Sequence, residues 1–140
     1  MRLVTLCGLV CGPSIWLLAA CTEPSDAIQA MPTKADGGMF FDENCAACHG
    51  ADGSGSGIRH LAKTPPDLTS LSAKNGGMFP AAQALSYIYG DPQTSHLARV
   101  MPEFGPEMAE DLVPVEIDGV LTPTPRELAG LLAFLESIQK

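Results

Sequence analysis

The feature that most constrains the fold of this chain is the pentad Cys45-Ala46-Ala47-Cys48-His49. In a helical turn, side chains three residues apart lie on one face, so both thiols project from the same side. His49 follows directly and brings an imidazole to the same place. Two thiols and one nitrogen ligand on a single turn indicate that this turn holds a prosthetic group.

The C-x-x-C-H spacing is the signature of covalent haem attachment. In this interpretation Cys45 and Cys48 form thioether bonds to the porphyrin, and His49 is the proximal ligand of the iron. Other uses of a cysteine pair fit less well. A zinc ribbon needs a second pair, a structural disulfide leaves His49 without a role, and a thioredoxin-like pair needs βαβ surroundings. The sequence therefore predicts one covalently bound haem c.

Residues 1–20 are typical of a secretory signal, with one positive charge at Arg2 followed by an apolar run. The tetrapeptide Leu-Ala-Ala-Cys at residues 18–21 resembles the lipobox of bacterial lipoproteins, in which a peptidase cuts before a lipidated cysteine. This resemblance implies a mature chain that begins with lipid on Cys21 and is exported to the periplasmic side of a membrane. An uncleaved transmembrane anchor and a plain signal peptide are the alternatives.

The five cysteines are then all assigned. Cys7 and Cys11 lie in the signal segment, Cys21 carries lipid, and Cys45 and Cys48 bind haem. No free thiol remains in the mature domain, which suits an exported protein.

The mature chain divides into a tether and one domain. Residues 21–34 contain two prolines and no apolar period, which predicts a flexible tether. Residues 35–140 are long enough for one domain. Within it, helical spacing of apolar residues predicts a helix from Ala35 into the pentad and another over residues 80–89.

Three further elements are predicted after residue 90. Pro92 favours a short helix that ends at Arg99. The segment from Leu112 to Val120 is interpreted as a short extended stretch. The sequence Thr124-Pro125-Arg126-Glu127 predicts a capping box at the start of the last helix, whose leucines form one apolar face.

A glycine and two aromatic residues make a family resemblance specific. Gly37 and Phe41 stand eight and four positions before Cys45, and Phe134 lies on the predicted last helix. The chain thereby resembles class I cytochromes c over residues 35–140. The resemblance implies an all-α fold of about four to five short helices around a single haem.

The same resemblance implies the remaining haem contacts. Pro66 matches the proline whose carbonyl accepts a hydrogen bond from the haem histidine, and Leu68 matches a residue that packs on the haem. Met101, followed by a proline, matches the second axial ligand. His60 and His96 are rival ligands without a supporting pattern, and Met39, Met78 and Met108 are interpreted as core residues.

The charge balance limits the partners. The chain has 16 acidic and 8 basic residues, and its formal charge of −8 becomes −9 without Arg2, the one charged residue in residues 1–20. A strongly acidic protein is a poor match for nucleic acid, because phosphate binding needs a basic face. A redox partner with a basic docking surface fits better, and solubility alone explains the acidic charge equally well. Residues 103–118, with six acidic groups and no basic one, are either the surface for that contact or a solvated loop, and the sequence alone favours neither.

The sequence as a whole predicts an electron-transfer protein rather than an enzyme. His49 and Met101 together close both axial positions of the iron, which leaves no site for a substrate. The main alternative is a dedicated cytochrome subunit of a membrane oxidase or dehydrogenase. A gas-binding or catalytic haem protein is a further alternative, and it requires a vacant or labile sixth position. The protein is expected to be a monomer or a complex subunit.

Overall fold

The computed structural model describes residues 30–55, 57, 63–90 and 101–140. The signal segment, Cys21, His60, His96 and the helix predicted to end at Arg99 lie outside these residues. Within them, no helix is both long enough and apolar enough to cross a membrane. The elements in order are α1 (Lys34–Asn44), α2 (Ala46–His49), a 3-10 helix (Leu68–Ser70), α3 (Leu71–Lys74), α4 (Ala81–Tyr89), a second 3-10 helix (Gly105–Glu107), strands β1 (Leu112–Ile117) and β2 (Val120–Pro125), and α5 (Arg126–Ser137).

Helix α1 begins at a capping box formed by Thr33 and Asp36. The Thr33 hydroxyl accepts a hydrogen bond from the Asp36 backbone N–H at 3.4 Å. In return, the Asp36 carboxylate accepts the Thr33 N–H and hydroxyl, each at 2.7 Å. These bonds from Thr33 lower the pKa of Asp36. The helix predicted near Ala35 is present, with its start fixed by this reciprocal pair.

The first and last helices cross at two glycines. Gly37 is buried against Gly130, and a Cβ on Gly37 would lie 1.9 Å from the Gly130 carbonyl oxygen. One turn further along α1, the rings of Phe41 and Phe134 pack with their centroids 5.1 Å apart. These contacts form a close crossing of the two helices, and only a residue without a side chain fits at Gly37.

The core joins α4 and α5 to the end of α1. It consists of a cluster of buried residues: Phe41, Cys45, Ile88, Leu128, Leu131 and Leu135. Phe41 is fully buried, and Leu128 and Leu131 are each 1% exposed. Because Cys45 belongs to this cluster, the pentad starts inside the hydrophobic core, and its position depends on the packing of α1, α4 and α5.

The predicted all-α fold is wrong, because β1 and β2 form an antiparallel hairpin. Val113 and Ile117 alternate with exposed residues and face the protein interior. Asp118 and Gly119 form the two-residue turn with φ angles of 52° and 80°. Positive φ at both central positions is the favoured geometry for a tight hairpin, and an Asp-Gly pair adopts it readily.

Prolines protect both edges of this hairpin. Pro114 lies opposite Pro123 in the register, and neither residue has an N–H to exchange across the pair. They therefore occupy a non-hydrogen-bonded position, where backbone nitrogens point outward. Pro125 is two residues after Pro123, so its nitrogen also points outward from β2. The outer edges thus lack a donor at Pro114, Pro123 and Pro125, which disfavours addition of a further strand.

The start of α5 differs from the prediction. The expected Thr124–Glu127 capping box is wrong: Thr124 is fully buried in β2, and its hydroxyl donates to the Thr122 carbonyl at 3.0 Å. Pro125 is the N-cap, and it makes no side-chain capping bond. The Arg126 N–H donates instead to the Asp111 carbonyl oxygen at 2.9 Å. The hairpin thus supplies the acceptor that a capping side chain otherwise provides.

The glycine crossing makes a direct prediction about stability. We expect Gly37→Ala to lower the free energy of unfolding by about 3 kcal/mol, because its Cβ overlaps backbone that cannot move independently. Gly38→Ala is the matched control in the same helix: its Cβ would lie 3.4 Å from the Phe134 ring, an ordinary contact. Its better helix propensity, about 1 kcal/mol, should leave stability equal or increased. Urea unfolding of the haem-loaded proteins measures both, and equal losses would contradict the crossing.

Candidate cofactor site

The pentad forms the predicted helical turn. Cys45 is at once the last cap of α1 and the first cap of α2, and its N–H donates to the Phe41 carbonyl at 2.8 Å. The N–H groups of Cys48 and His49 both donate back to the Cys45 carbonyl, at 3.1 and 2.9 Å. No disulfide joins the two thiols; Cys45 is buried and Cys48 is half-buried. The turn therefore holds two thiols and an imidazole in one compact unit.

The imidazole of His49 is oriented by a backbone carbonyl. His49 is 8% exposed, and its Nδ1 lies 3.3 Å from the carbonyl oxygen of Pro66. A carbonyl can only accept, so this hydrogen bond selects the tautomer in which Nδ1 carries the proton. The lone pair is then on Nε2, the atom free to bind a metal. The contact expected at Pro66 is present, and such a bond typically raises the basicity of a ligating histidine.

The electrostatic environment favours the neutral forms of the His49 imidazole and the Cys45 thiol. Burial lowers the pKa of His49, and the hydrogen bond to the Pro66 carbonyl opposes this effect. Burial also raises the pKa of the Cys45 thiol to about 11, with a smaller contribution from Cys48. A raised thiol pKa is the opposite of what a catalytic cysteine pair needs, because the thiolate is the reactive species. The thioredoxin-like alternative is thus further disfavoured.

The segment that follows His49 is packed against the pentad and against residues 64–68, here named the proline segment. The N–H of Gly55 donates to the His49 carbonyl at 2.7 Å. Gly55 has φ of +83°, and a Cβ there would lie 2.7 Å from the Pro65 carbonyl oxygen. A Cβ on Gly57 would lie 2.5 Å from the carbonyl oxygens of Ala47 and Cys48.

From its composition, the glycine-rich stretch of residues 50–57 is expected to be a flexible surface loop, and this expectation misses the two close contacts. The available signal was the repetition of glycine itself, which marks positive φ or close backbone approach as often as flexibility.

Met101 and Leu68 lie at the same core cluster as Cys45. Both are half-buried and pack against it, as does Met108. The interpretation of Met108 as a core residue is therefore confirmed. The same interpretation is wrong for Met39 and Met78, which are 61% and 71% exposed. Among the methionines that the structure describes, only Met101 and Met108 are packed at the cluster.

This donor set fits a haem iron. A neutral imidazole with Nε2 unprotonated and a half-buried thioether are the soft ligands typical of low-spin haem, and two thiols on one turn match two thioether attachments. Pro66 holds the imidazole in place from outside the ligand set.

The comparisons with known proteins agree with this chemistry. Residues 35–139 match the family model of cytochrome c. A search of curated proteins and a search of solved structures each return no match to the chain. The match begins at the first turn of α1 and ends near the last residue, so it includes the pentad, the proline segment, the hairpin and α5.

Proposed function

Because the chain belongs to the cytochrome c family, we propose that it is a one-electron carrier whose iron is held by His49 and Met101. Haem c, bound covalently and containing iron, is the cofactor of this family and of this chain. Proteins with this domain generally transfer electrons and do not catalyse a reaction on a substrate. The proposal goes further, since it assigns both axial ligands and the attachment residues.

The observation that carries the proposal is the hydrogen bond between His49 and Pro66. It fixes one tautomer and one ring orientation and leaves the lone pair on Nε2, the atom that can bind iron. Cys45 and Cys48 attach the porphyrin from the turn that presents this ring. The haem supplies a reversible one-electron change at iron, and the protein keeps the imidazole oriented and the surroundings apolar.

Met101 is proposed as the sixth ligand because of its place at the core cluster. It packs against the residues that bury Cys45, although His49 and Met101 are 52 residues apart in sequence. A thioether is a weaker donor than imidazole and raises the reduction potential relative to a second histidine. With both positions filled in both oxidation states, little rearrangement accompanies electron transfer.

Replacement of Met101 tests this ligation. We expect Met101→Ala to lose the sulfur-to-iron charge-transfer band of the ferric protein, to lower the reduction potential, and to let the reduced protein bind carbon monoxide. Met108→Ala is the matched control, because it removes a second half-buried methionine from the same cluster. Visible spectra and a potential titration compare the two. Retention of the band in Met101→Ala, or its loss in Met108→Ala, would contradict the assignment.

We propose that the protein is an exported lipoprotein, anchored on the periplasmic side by lipid on Cys21. One contact bears on its distance from the membrane. The Arg126 guanidinium donates to the Ala30 carbonyl at 2.6 Å and pairs with Asp111 at 2.8 Å. Ala30 is nine residues after Cys21, which spans at most about 30 Å. The start of α5 and the base of the hairpin therefore remain close to the lipid surface.

Replacement of Cys21 tests the anchor. We expect Cys21→Ser to prevent both lipidation and the cleavage that depends on it, so that the variant keeps residues 1–20 and lacks the lipid, with an unchanged haem spectrum. Cys11→Ser is the matched control within the signal segment and should be cleaved and lipidated as usual. The mass of the N-terminal peptide gives an independent reading. An unmodified Cys21 in the membrane-bound native protein would contradict lipidation.

The partner is proposed to be a redox protein with a basic docking surface. Residues 103–118 hold six acidic groups and no basic one: Glu103, Glu107, Glu110, Asp111, Glu116 and Asp118. Glu116 and Asp118 are exposed at the hairpin tip beside Val120 and Leu121, which are 64% and 67% exposed. Acidic groups around exposed apolar side chains suit a partner with a basic rim and an apolar centre.

Ionic strength tests the charge of this surface. We expect oxidation of the reduced protein by the cation tris(phenanthroline)cobalt(III) to slow as salt rises, and oxidation by the anion hexacyanoferrate(III) to accelerate. Replacing the tip acids, as Glu116→Gln with Asp118→Asn, should reduce the salt dependence with the cation. The matched control is Glu127→Gln with Glu136→Gln, which neutralises two exposed acids on α5. If both double substitutions reduced the salt dependence equally, the rate would depend on net charge alone and not on the hairpin tip.

A further inference from the structure

Gln139, beyond the end of α5, makes three hydrogen bonds with one side-chain amide. Its Oε1 accepts the Ser72 backbone N–H at 2.9 Å. Its Nε2 donates to the carbonyl oxygens of Leu68 at 2.8 Å and Leu135 at 2.7 Å. Two of these bonds reach residues 67 and 71 positions earlier in the chain. Gln139 thus connects the end of the last helix to the segment that follows Pro66.

Each partner of Gln139 is a backbone group that its own helix leaves open. Ser72 lies in the first turn of α3, where N–H groups have no intrahelical acceptor. The Leu135 carbonyl is in the last turn of α5, and the Leu68 carbonyl is in a 3-10 turn. An amide side chain has both an acceptor and two donors, so one residue can satisfy all three groups.

Gln139 is connected to the imidazole of His49 through the short backbone segment between Leu68 and Pro66. Next to Leu68, the Lys140 N–H donates to the Thr69 carbonyl at 2.9 Å. The Leu68 N–H donates to the Gly53 carbonyl at 2.8 Å, in the stretch that returns to His49. Pro66, which accepts the Nδ1–H of His49, is two residues before Leu68. The chain end therefore holds the same short segment that orients the ring.

We propose that Gln139 is a positioning residue for the haem: it fixes the segment from Pro66 to Ser72 and thereby the hydrogen bond to His49. Its loss loosens the Pro66 carbonyl, weakens the Nδ1–H bond, and makes the imidazole a poorer donor to iron. A poorer donor stabilises the oxidised iron less, so the reduction potential rises. The inference rests on the proposed role of His49 as a ligand, and it does not depend on Met101.

The test uses the haem-loaded protein and the variant Gln139→Leu, which keeps the side-chain volume and removes the amide. We expect the Nδ1–H of His49, observed by NMR in the reduced protein, to exchange with solvent at least tenfold faster, and the reduction potential to rise. Gln139→Glu keeps the acceptor for Ser72 but loses both donors, so it should move both quantities in the same direction. An unchanged exchange rate and potential in Gln139→Leu would overturn the proposal.

Two controls separate positioning from general stability. Gln83→Leu makes the same substitution at an exposed position of α4 and should change neither quantity. Thr33→Ala removes the α1 capping box and lowers stability by about 1 kcal/mol, and the side-chain bonds it removes are to Asp36, so it should leave the potential unchanged. A potential shift of equal size in Thr33→Ala would overturn the proposal.

A measurement on the native protein removes dependence on the folding of any variant. The Nε2 protons of Gln139 and the Nδ1–H of His49 should exchange through one shared opening, with the same dependence on low concentrations of denaturant. If the two exchange rates depended differently on denaturant, the proposed link between Gln139 and His49 would be refuted. If instead His49 is not an iron ligand, the NMR spectrum of the reduced native protein lacks the resonances of His49 that the haem ring current shifts. That result would contradict the proposed function itself, and it is distinct from a failure of the Gln139 proposal.

Discussion

The structure depends on the close crossing of α1 and α5 at Gly37 and Gly130. A Cβ on Gly37 would overlap the facing backbone, so the two helix backbones lie closer together than any side chain at this position allows. This approach lets Phe41 pack on Phe134 and places the end of α1 in the core. Since Cys45 directly follows α1, the crossing also sets the position of the haem-binding turn. Removing it would change the site as well as the stability.

A second set of contacts holds the ring of His49 in its orientation. The proline segment contributes the carbonyl of Pro66, and backbone bonds connect that segment to the stretch after the pentad and to the chain end. Helix α5 therefore acts twice, through Gly130 near its start and through Gln139 beyond its end. The position of the pentad and the orientation of its imidazole both depend on one helix.

Much of this could be predicted from the sequence, because the pentad, Gly37, Phe41 and Phe134 have fixed spacing and specific chemistry. The hairpin could not be predicted with the same reasoning. Thr124-Pro125 followed by Arg126-Glu127 satisfies the local pattern of a capping box, but strand pairing with residues 112–117 uses Thr124 instead. Asp118-Gly119 is a typical hairpin turn pair, and it lies inside residues 112–120, which the sequence predicts to be extended. Gln139 gave no local signal, since its partners are 67 and 71 residues away.

The central claim is that this chain holds a closed electron-transfer haem with one histidine and one methionine ligand. A spectroelectrochemical titration of the native protein, with and without carbon monoxide, tests it most directly. The account predicts a single one-electron transition, a sulfur-to-iron band that is present in the oxidised protein and disappears on reduction, and an unchanged curve under carbon monoxide. A curve that shifts to higher potential under carbon monoxide, or an oxidised spectrum without that band, would contradict it.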